Sequence, residues 1–343
     1  MAKIGVDVGG TFTDLVLEIT EGQARKVFVH KVPSTPQDQS EGVIKGVLEL
    51  CEMGGIKPAE VKLVVHGTTV ATNTVLEYNG AEVGMLTTRG FRDILHMARH
   101  KRPQNFSMQF DVPWQSKPLV KRRNRVPITE RILPPSGDIV TPLAENEVRA
   151  AATLLQAHGV EAVIICFLFS FLNNTHEKRA KAIVKELLPG LYVEASHEVV
   201  DVIREYERFS TTAMNAFVGP RVGRYLQRLE SALRGQGIGA QIGVMQSNGG
   251  VTTIEHAANH AVTILMSGPA GGVIGGRWAG RMSGEDNMIT VDIGGTSADI
   301  SVIPNGCLRV MNPRDTQVNG YPVLTPMLDI DTIGAGGGSV AYM

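Results

Sequence analysis

Apolar and β-branched residues flank a Gly-Gly pair in two separate segments of the chain. Residues 4–17 read IGVDVGGTFTDLVL and residues 290–303 read TVDIGGTSADISVI. Aligned on Asp7 and Asp292, both give V-D-[VI]-G-G-T-x-x-D, so the apolar residues, the glycines and the second acid fall in register. β-Branched residues favour strands, and consecutive glycines favour a tight turn. The sequence therefore predicts one strand–turn–strand unit that occurs twice.

Between the two copies, helical and extended patterns alternate. The residues 145–196 read as helix, strand, helix, strand, which is typical of a parallel sheet with crossover helices. The predicted helices cover residues 37–53, 145–158, 176–188, 204–235 and 268–281. The predicted strands in this interior cover residues 63–66, 83–87, 162–167, 192–196 and 242–246.

One segment, residues 99–131, breaks this alternation. It contains nine Lys and Arg but only two acidic residues, and prolines and aromatic residues interrupt it. We expect an irregular insertion or arm of basic character. Two interpretations stay open: a solvated loop held by its aromatic residues, or a contact for a partner subunit or an anionic ligand.

The composition is that of a globular protein of more than one domain. The chain has 343 residues, of which 43% are hydrophobic and 20% are charged, and its formal net charge is -1. A single core rarely grows beyond roughly 250–300 residues, so two domains are expected. The balanced charge gives no global attraction to nucleic acid or to a membrane surface.

The cysteines and the N-terminal residues indicate the cellular compartment of the protein. The 3 cysteines are far apart, which argues against a disulfide framework and a cysteine zinc site. The first residues lack the pattern of a secretory signal, and no apolar run reaches the ~20 residues of a membrane span. The sequence predicts a cytoplasmic protein.

The repeated D-x-G-G-T predicts a nucleotide site. Glycine N–H groups can approach phosphate oxygens closely, and the hydroxyl groups beside them are further donors. Asp7 and Asp292 end their strands, where carboxylates hold Mg²⁺ through its waters. The predicted phosphate contacts are Gly9, Gly10, Thr11, Thr13, Gly294, Gly295, Thr296 and Ser297. No P-loop motif is present.

The two D-[VI]-G-G-T strings resemble the phosphate-1 and phosphate-2 motifs of the actin-like ATPase superfamily. The chain resembles the hydantoinase A/5-oxoprolinase family more closely still, over almost its whole length. The strings that carry this resemblance are GVDVGGTFTD (5–14), HGTTVATNTVL (66–76), TTRGFRD (87–93), REYERFSTTAMNAFVGP (204–220), MQSNGG (245–250), SGPAGGV (267–273), DIGGTSAD (292–299) and TIGAGGGS (332–339).

The resemblance implies an α/β fold: a two-lobed, actin-like (ribonuclease H-like) ATPase with mixed sheets and a nucleotide cleft between its lobes. It implies a first domain at 1–200, carrying phosphate-1 and the basic arm at about 99–131. A second domain at 201–343 carries phosphate-2. Family chains normally continue beyond TIGAGGGS, so we expect the second domain to be incomplete.

The resemblance also implies chemistry. The expected activity is ATP- and Mg²⁺-dependent hydrolysis of a cyclic amide of the hydantoin or 5-oxoproline type, begun by phosphoryl transfer to the amide oxygen. A B-type partner subunit is expected, and a homo-oligomer is possible. Three alternatives stay open: a ketone carboxylase subunit, a nucleotide-dependent switch of the actin–Hsp70 kind, and a small-molecule kinase.

Individual residues receive roles on this reading. Asp7 and Asp292 orient the metal, and Asp299 is a third catalytic candidate. Asp14 and Asp299 either complete the metal sphere or cap their turns. Gly336 and Gly337 contact adenosine or phosphate, or allow close packing.

Other strings leave alternatives open. His66 either relays a proton or is a structural histidine. Arg208 either pairs with Glu205 on one helix or faces the cleft. The segment 267–272 begins a helix whose N-terminus attracts an anion, or whose small residues let it pack tightly on a sheet. We also expect an exposed apolar seam near Leu324–Ile330.

Overall fold

The computed structural model describes residues 1–35, 38–99, 106, 111–294 and 297–340. The helices are α1 (Gln39–Gly54), α2 (Val70–Leu76), α3 (Ile94–Met97), α4 (Pro113–Ser116), α5 (Glu145–Ala157), α6 (Thr175–Leu187), α7 (Ser196–Val199), α8 (Glu205–Gly235), α9 (Ile254–Asn259) and α10 (Ser267–Met282). None of the helices in the described part of the chain has the length and apolar character that a membrane span requires.

The strands include every strand that the sequence predicts, with ends shifted by one or two residues. They are β1 (Ala2–Val8), β2 (Phe12–Glu21), β3 (Ala24–Pro33), β4 (Val61–Thr68), β5 (Val83–Thr88), β6 (Arg125–Ile128), β7 (Arg131–Leu133), β8 (Asp138–Thr141), β9 (Ala162–Cys166), β10 (Tyr192–Ala195), β11 (Gln241–Met245), β12 (Val251–Thr253), β13 (Met288–Ile293), β14 (Ala298–Ile303), β15 (Gln317–Val318), β16 (Tyr321–Pro322) and β17 (Asp331–Ile333).

The chain forms two compact units, each assembled from separate stretches of sequence. The first unit contains Met1–Thr72, Val222–Asn312 and Pro326–Met343. The second unit contains Asn73–Arg221 and Pro313–Thr325. Both copies of the D-x-G-G-T motif belong to the first unit. The family division at residue 200 stays a prediction.

A mixed sheet of six strands forms the centre of the first unit, in the order β12-β11-β4-β1-β2-β3. Strand β1 is antiparallel to β2 and parallel to β4. Every second side chain of β1 is buried, among them Ile4, Val6 and Val8. Helix α1 packs on β2 and β3. The alternation follows from the period of two residues along a strand.

A second sheet of the first unit contains the other copy of the motif, in the order β13-β14-β17. Helix α10 packs on β13 through a row of glycines spaced by four residues, which places them on one face of the helix. A Cβ atom added to Gly276 would lie 2.3 Å from Cγ2 of Thr290, and one added to Gly280 would lie 2.4 Å from Cε of Met288. The predicted close packing of this helix on a sheet is confirmed.

The second unit contains a parallel sheet in the order β10-β9-β5-β6. Helices α5 and α6 bury their apolar faces against it, and all five residues of β9 are buried. The predicted parallel sheet with crossover helices is confirmed.

Part of the basic segment is not the irregular arm that its composition predicts. Residues Arg125–Ile128 form β6, the edge strand of the parallel sheet. Arg125 is buried, and its guanidinium donates two hydrogen bonds to the Val120 carbonyl, at 3.0 and 2.8 Å. Burial lowers the pKa of Arg125 to about 10. Composition did not predict this strand because basic residues usually lie in water, whereas the Arg125 guanidinium is buried and bound to a backbone carbonyl. Residues 100–105 and 107–110 lie outside the described residues.

Arg208 has neither of the roles that the sequence suggests. It is fully buried, and each of its nitrogens donates to a group away from Glu205. The acceptors are Oγ of Ser196 at 3.1 Å and the carbonyl oxygens of Val202 and Phe167 at 3.0 and 2.8 Å. Arg208 therefore fixes the start of α8 to the segments that follow β9 and β10.

The glycine face of α10 gives a stability prediction. We expect Gly276→Val to lower the free energy of unfolding by about 1–3 kcal/mol more than Gly275→Val, because only the first side chain meets Thr290. Gly275 is the matched control: it is the adjacent residue, and an added Cβ there meets no atom within 4 Å. Denaturant unfolding of both variants measures the difference. Equal stabilities would show that α10 is not seated on this strand.

Candidate functional site

The two D-x-G-G-T hairpins share their strand register and the hydrogen bond that closes the turn. Asp7 lies directly opposite Asp14 across β1 and β2, and Asp292 lies opposite Asp299 across β13 and β14. The first glycine of each turn closes it with an equivalent hydrogen bond. The Gly9 N–H donates to the Phe12 carbonyl at 3.0 Å, and the Gly294 N–H donates to the Ser297 carbonyl at 2.8 Å. The predicted strand–turn–strand unit is confirmed in both copies.

The third strand of each sheet engages the second acid of the motif. Asp14 pairs in register with Lys31 of β3, and the Lys31 ammonium lies 3.0 Å from the Asp14 carboxylate. Asp299 pairs with Thr332 of β17, whose hydroxyl donates to its carboxylate at 2.6 Å. Each acid therefore engages a side chain of the neighbouring strand, which is not the turn cap that the sequence suggests. Their alternative role in the metal sphere stays a prediction.

Ser34, which the sequence analysis missed, supports the first turn. Its hydroxyl donates to the Gly9 carbonyl at 2.8 Å and its N–H donates to the Thr11 carbonyl at 2.9 Å. The same hydroxyl lies 3.1 Å from Oγ1 of Thr13. No motif signalled this residue, because the sequence does not show that β3 returns to the turn.

Thr13 does not occupy the position predicted for a phosphate contact. Its side chain is fully buried and its hydroxyl is engaged by Ser34. A hydroxyl with no exposed surface does not reach a ligand, so Thr13 supports the turn from inside. Gly10 and Thr11 are exposed and remain candidates.

The glycine-rich segment after β17 lies against the second turn. The Gly337 N–H donates to the Gly294 carbonyl at 2.9 Å. The Gly336 N–H donates to Oγ of Ser339 at 3.0 Å, which closes a small loop on the turn. Ser297 is partly exposed beside it. Two further predicted contacts, Gly295 and Thr296, lie outside the described residues.

Helix α10 lies beside the first acid of each motif, Asp7 and Asp292. A Cβ atom added to Gly268, in the first turn of the helix, would lie 3.4 Å from Oδ1 of Asp7. One added to Gly272 would lie 3.6 Å from Oδ2 of Asp292. Gly67 at the end of β4 also borders Asp7, since a Cβ there would lie 3.0 Å from the same oxygen. Both carboxylates are therefore within van der Waals reach of one face of α10, and the approach is tightest at Gly67.

The charges at this place repel one another. The pKa of Asp7 is raised, first because surrounding protein atoms displace water from its carboxylate, and then because Asp14 and Asp292 are negative. Asp7 nevertheless keeps contact with solvent. A cation between these carboxylates would relieve the repulsion.

The arrangement fits Mg²⁺ bound together with phosphates. Mg²⁺ is usually held by one or two carboxylates, water and substrate phosphate oxygens, rather than by a cage of protein ligands. Asp7 and Asp292 would supply the two carboxylates. Within the described residues, no group of three or more His, Cys, Asp and Glu side chains forms a cage. The N-terminus of α10 adds a partial positive charge beside Asp7.

His66 lies on the other face of the sheet. It is fully buried in β4, in register with Val6, whereas Asp7 points to the opposite face. Its Nε2 lies 2.8 Å from the Tyr225 hydroxyl. Burial lowers the pKa of His66 to about 4, so the imidazole is neutral near pH 7. This environment favours the structural role among the two alternatives.

Both halves of the chain resemble known proteins. Residues 3–188 match a family model described as the hydantoinase/oxoprolinase N-terminal region, and residues 208–343 match one described as hydantoinase/oxoprolinase. The chain is 36% identical to the caprolactamase subunit alpha of Pseudomonas jessenii, over 99% of the chain and 49% of that subunit.

Two solved structures resemble the fold. One is an ATP-dependent caprolactamase from Pseudomonas jessenii, with a TM-score of 0.84, 37% identity, and coverage of 99% of this chain and 49% of that one. The other is a nucleotide-free acetone carboxylase, with a TM-score of 0.86, 28% identity, and coverage of 97% and 48%. The chain therefore spans about half the length of the relatives it matches, and the predicted α/β fold with mixed sheets is confirmed.

The family strings identified along the sequence, the matches to both halves of the chain and the likeness to these two structures agree, and the chain belongs to the hydantoinase/oxoprolinase family.

Proposed function

We propose that this chain is the nucleotide-binding part of an ATP-dependent enzyme that hydrolyses cyclic amides. The observation that supports this proposal most directly is the position of Asp7 and Asp292, which both border the first two turns of α10. Each hairpin has an acid at the end of its first strand. Gly10 is exposed at the first turn and Ser297 is partly exposed at the second, which suits a ligand that carries several phosphates and a divalent cation.

The chain's own residues would act mainly by position and charge. Asp7 and Asp292 hold Mg²⁺, and the exposed N–H groups near Gly10 and Ser297 donate to phosphate oxygens. Ser34 and Gly337 fix the two turns in advance, so that little reorganisation accompanies binding. When bound, ATP supplies the phosphoryl group that converts a poorly reactive amide into one that water attacks.

The substrate class rests on the family. The matched family is named for hydantoinase and oxoprolinase, and one relative is named a caprolactamase. Each of these names refers to an enzyme that acts on a cyclic amide. That relative is named as one subunit, which supports a partner for this chain; we propose a B-type subunit. Since the chain spans about half the length of this relative, we propose that turnover requires the equivalent of its other half together with that partner.

A second candidate is an ATP-dependent ketone carboxylase subunit, because the acetone carboxylase structure superimposes with a TM-score of 0.86. The two candidates differ in their substrates. A cyclic amidohydrolase releases phosphate when a lactam or hydantoin is added and forms a ring-opened acid. A carboxylase requires bicarbonate and a ketone.

The first prediction concerns Mg·ATP. Asp7→Asn and Asp292→Asn should each weaken Mg·ATP binding at least tenfold, roughly 1.4 kcal/mol, because each removes a charged ligand of the cation. Isothermal titration calorimetry of the 343-residue chain measures this. Asp138→Asn, a change of the same kind on the exposed strand β8, is the control. Unchanged affinity in both variants would remove these residues from the site.

The second prediction concerns pH and stability. The folded protein raises the pKa of Asp7, so ionisation of this carboxyl destabilises the folded state, and stability is lost as pH rises through the shifted pKa. Asp7→Asn should therefore raise the melting temperature at pH 7. The gain should shrink towards pH 3, where the carboxyl is protonated in both states. A melting temperature that falls at pH 7 would contradict the raised pKa.

The third prediction tests whether Gly10 contacts a ligand or is needed only to form the turn. An added Cβ meets no atom within 4 Å at Gly10 or at Gly235. Gly10→Val and Gly235→Val should therefore both fold with nearly unchanged melting temperature. Only Gly10→Val should lose Mg·ATP affinity, because its side chain fills the approach to the turn. Equal affinities in the two variants would exclude a close phosphate at Gly10.

A further inference from the structure

The apolar seam expected at Leu324–Ile330 is not exposed, since Met327 and Leu328 are buried. Exposed apolar side chains meet instead at a cavity of the second unit, where Leu172 is 41% and Ile203 is 59% exposed. The volume of this cavity is about 430 Å³. Small-molecule sites typically measure ~300–1,000 Å³, so the cavity has the size of a ligand site.

The cavity lies where parallel sheets bind ligands. Its wall contains Phe169, Phe171 and Leu172, in the segment that follows β9, and Ile203, just before α8. Two prolines of the loop between β7 and β8 complete the apolar lining. From β5 the chain passes to β6 on one side of the sheet, whereas β9 and β10 lie on the other side. Ligands of such sheets bind beyond the carboxyl ends of the strands, at the place where the strand order reverses.

A buried charge holds both parts of this wall in place. The Arg208 guanidinium donates to the carbonyl of Phe167, in the segment after β9, and to the carbonyl of Val202, ahead of α8. Its Cζ atom lies 5.6 Å from the centre of the Phe171 ring. Burial of a charge is costly unless hydrogen bonds satisfy it, and here the acceptors are the two segments that line the cavity. The wall is therefore fixed before any ligand arrives.

Two residues of the wall keep a strained backbone. Phe169 has a φ of 57° and Arg204 has a φ of 84°, in the left-handed region that residues with a Cβ atom rarely adopt. The N–H groups of the two residues before Phe169 donate to Glu177 and to Oγ1 of Thr88, at 2.8 and 2.9 Å. Strained residues that are held in this way concentrate at ligand-binding and active sites.

The rim of the cavity carries one charge of each sign, on Arg204 and Glu205. Within the described part of the chain, neither side chain has an ion-pair or hydrogen-bond partner. Arg204 stands directly before α8, and arginine has no acceptor that could cap the N–H groups of the first helical turn. A ligand carboxylate would be attracted by Arg204 and by the start of the helix, and a ligand ammonium by Glu205.

We propose that this cavity binds an α-amino acid with an apolar side chain. The carboxylate and the ammonium of such a ligand are attached to one carbon atom, which matches two opposite charges on adjacent residues. The side chain would lie among Phe169, Phe171 and Ile203. Hydrolysis of a lactam leaves an amine and a carboxylate in one molecule, so a product of the proposed reaction can compete for the cavity. That link rests on the proposed function, whereas the binding of an amino acid does not.

The test is isothermal titration calorimetry of the 343-residue chain with L-phenylalanine and with L-leucine, in the absence of nucleotide. At least one of the two should bind with a Kd below about 1 mM. The matching amine and the matching acid, phenethylamine and phenylpropionate in the case of phenylalanine, should each bind at least tenfold more weakly. Failure of both amino acids to bind, or equal affinities for amino acid, amine and acid, would overturn the proposal.

A variant of the wall locates the ligand. Ile203→Asp places a carboxylate among the apolar side chains and should lower the affinity for the amino acid at least tenfold. Its melting temperature should change by no more than about 2 °C, because Ile203 is already exposed. Leu154→Asp is the matched control, since Leu154 is 44% exposed on α5 of the same unit and does not line the cavity. Equal affinities of the two variants would place the ligand elsewhere.

Variants of the rim test the charges. Arg204→Gln should weaken binding of the amino acid and of the acid, and leave binding of the amine unchanged. Glu205→Gln should weaken binding of the amino acid and of the amine, and leave binding of the acid unchanged. Losses that do not depend on the charge of the ligand would contradict the proposal, because the two residues would then only shape the loop. These titrations contain no Mg·ATP, so their outcome is independent of the proposed cation site.

Discussion

The close approach of α10 to the two sheets of the first unit is the constraint on which its site depends. Glycines at every fourth position let the helix pass Asp7, Asp292, Thr290 and Met288 in succession. A side chain at Gly276 or Gly280 would push the helix away from β13, whereas an added Cβ at Gly268 or Gly272 would be in van der Waals contact with a carboxylate. Because both acids border the same helix, their carboxylates are held together although their strands lie far apart in sequence.

This placement has an electrostatic cost. Asp7 is crowded by protein atoms and by the negative charges of Asp14 and Asp292, and its pKa is raised accordingly. A protein built for stability alone would avoid such a group, whereas a site that binds a divalent cation needs it. Of the neighbouring acids, Asp14 lies beside the Lys31 ammonium and Asp299 accepts a hydrogen bond from the Thr332 hydroxyl.

The two copies of the motif also show how one local structure takes on different roles. Their registers and turn hydrogen bonds match, yet the first is covered by α1 and the second leaves its apolar residues exposed. The first hairpin is therefore a core element, while the second lies at the surface of the described part of the chain.

The sequence alone determined the long helices, the two hairpins and five strands between them, because each depends on neighbours within a few residues: the period of two along β1, or the glycine pair after Asp7. It also identified the acids and the family. Only the tertiary structure decided that Ser34 supports the first turn, that Thr13 is buried, that Arg125 lies in a strand and that Arg208 binds carbonyl groups. These outcomes depend on contacts between segments that are distant in sequence, and no local pattern specifies which segments meet. Burial also changes what the same side chain can do, since a buried hydroxyl or guanidinium binds protein groups rather than a ligand or water.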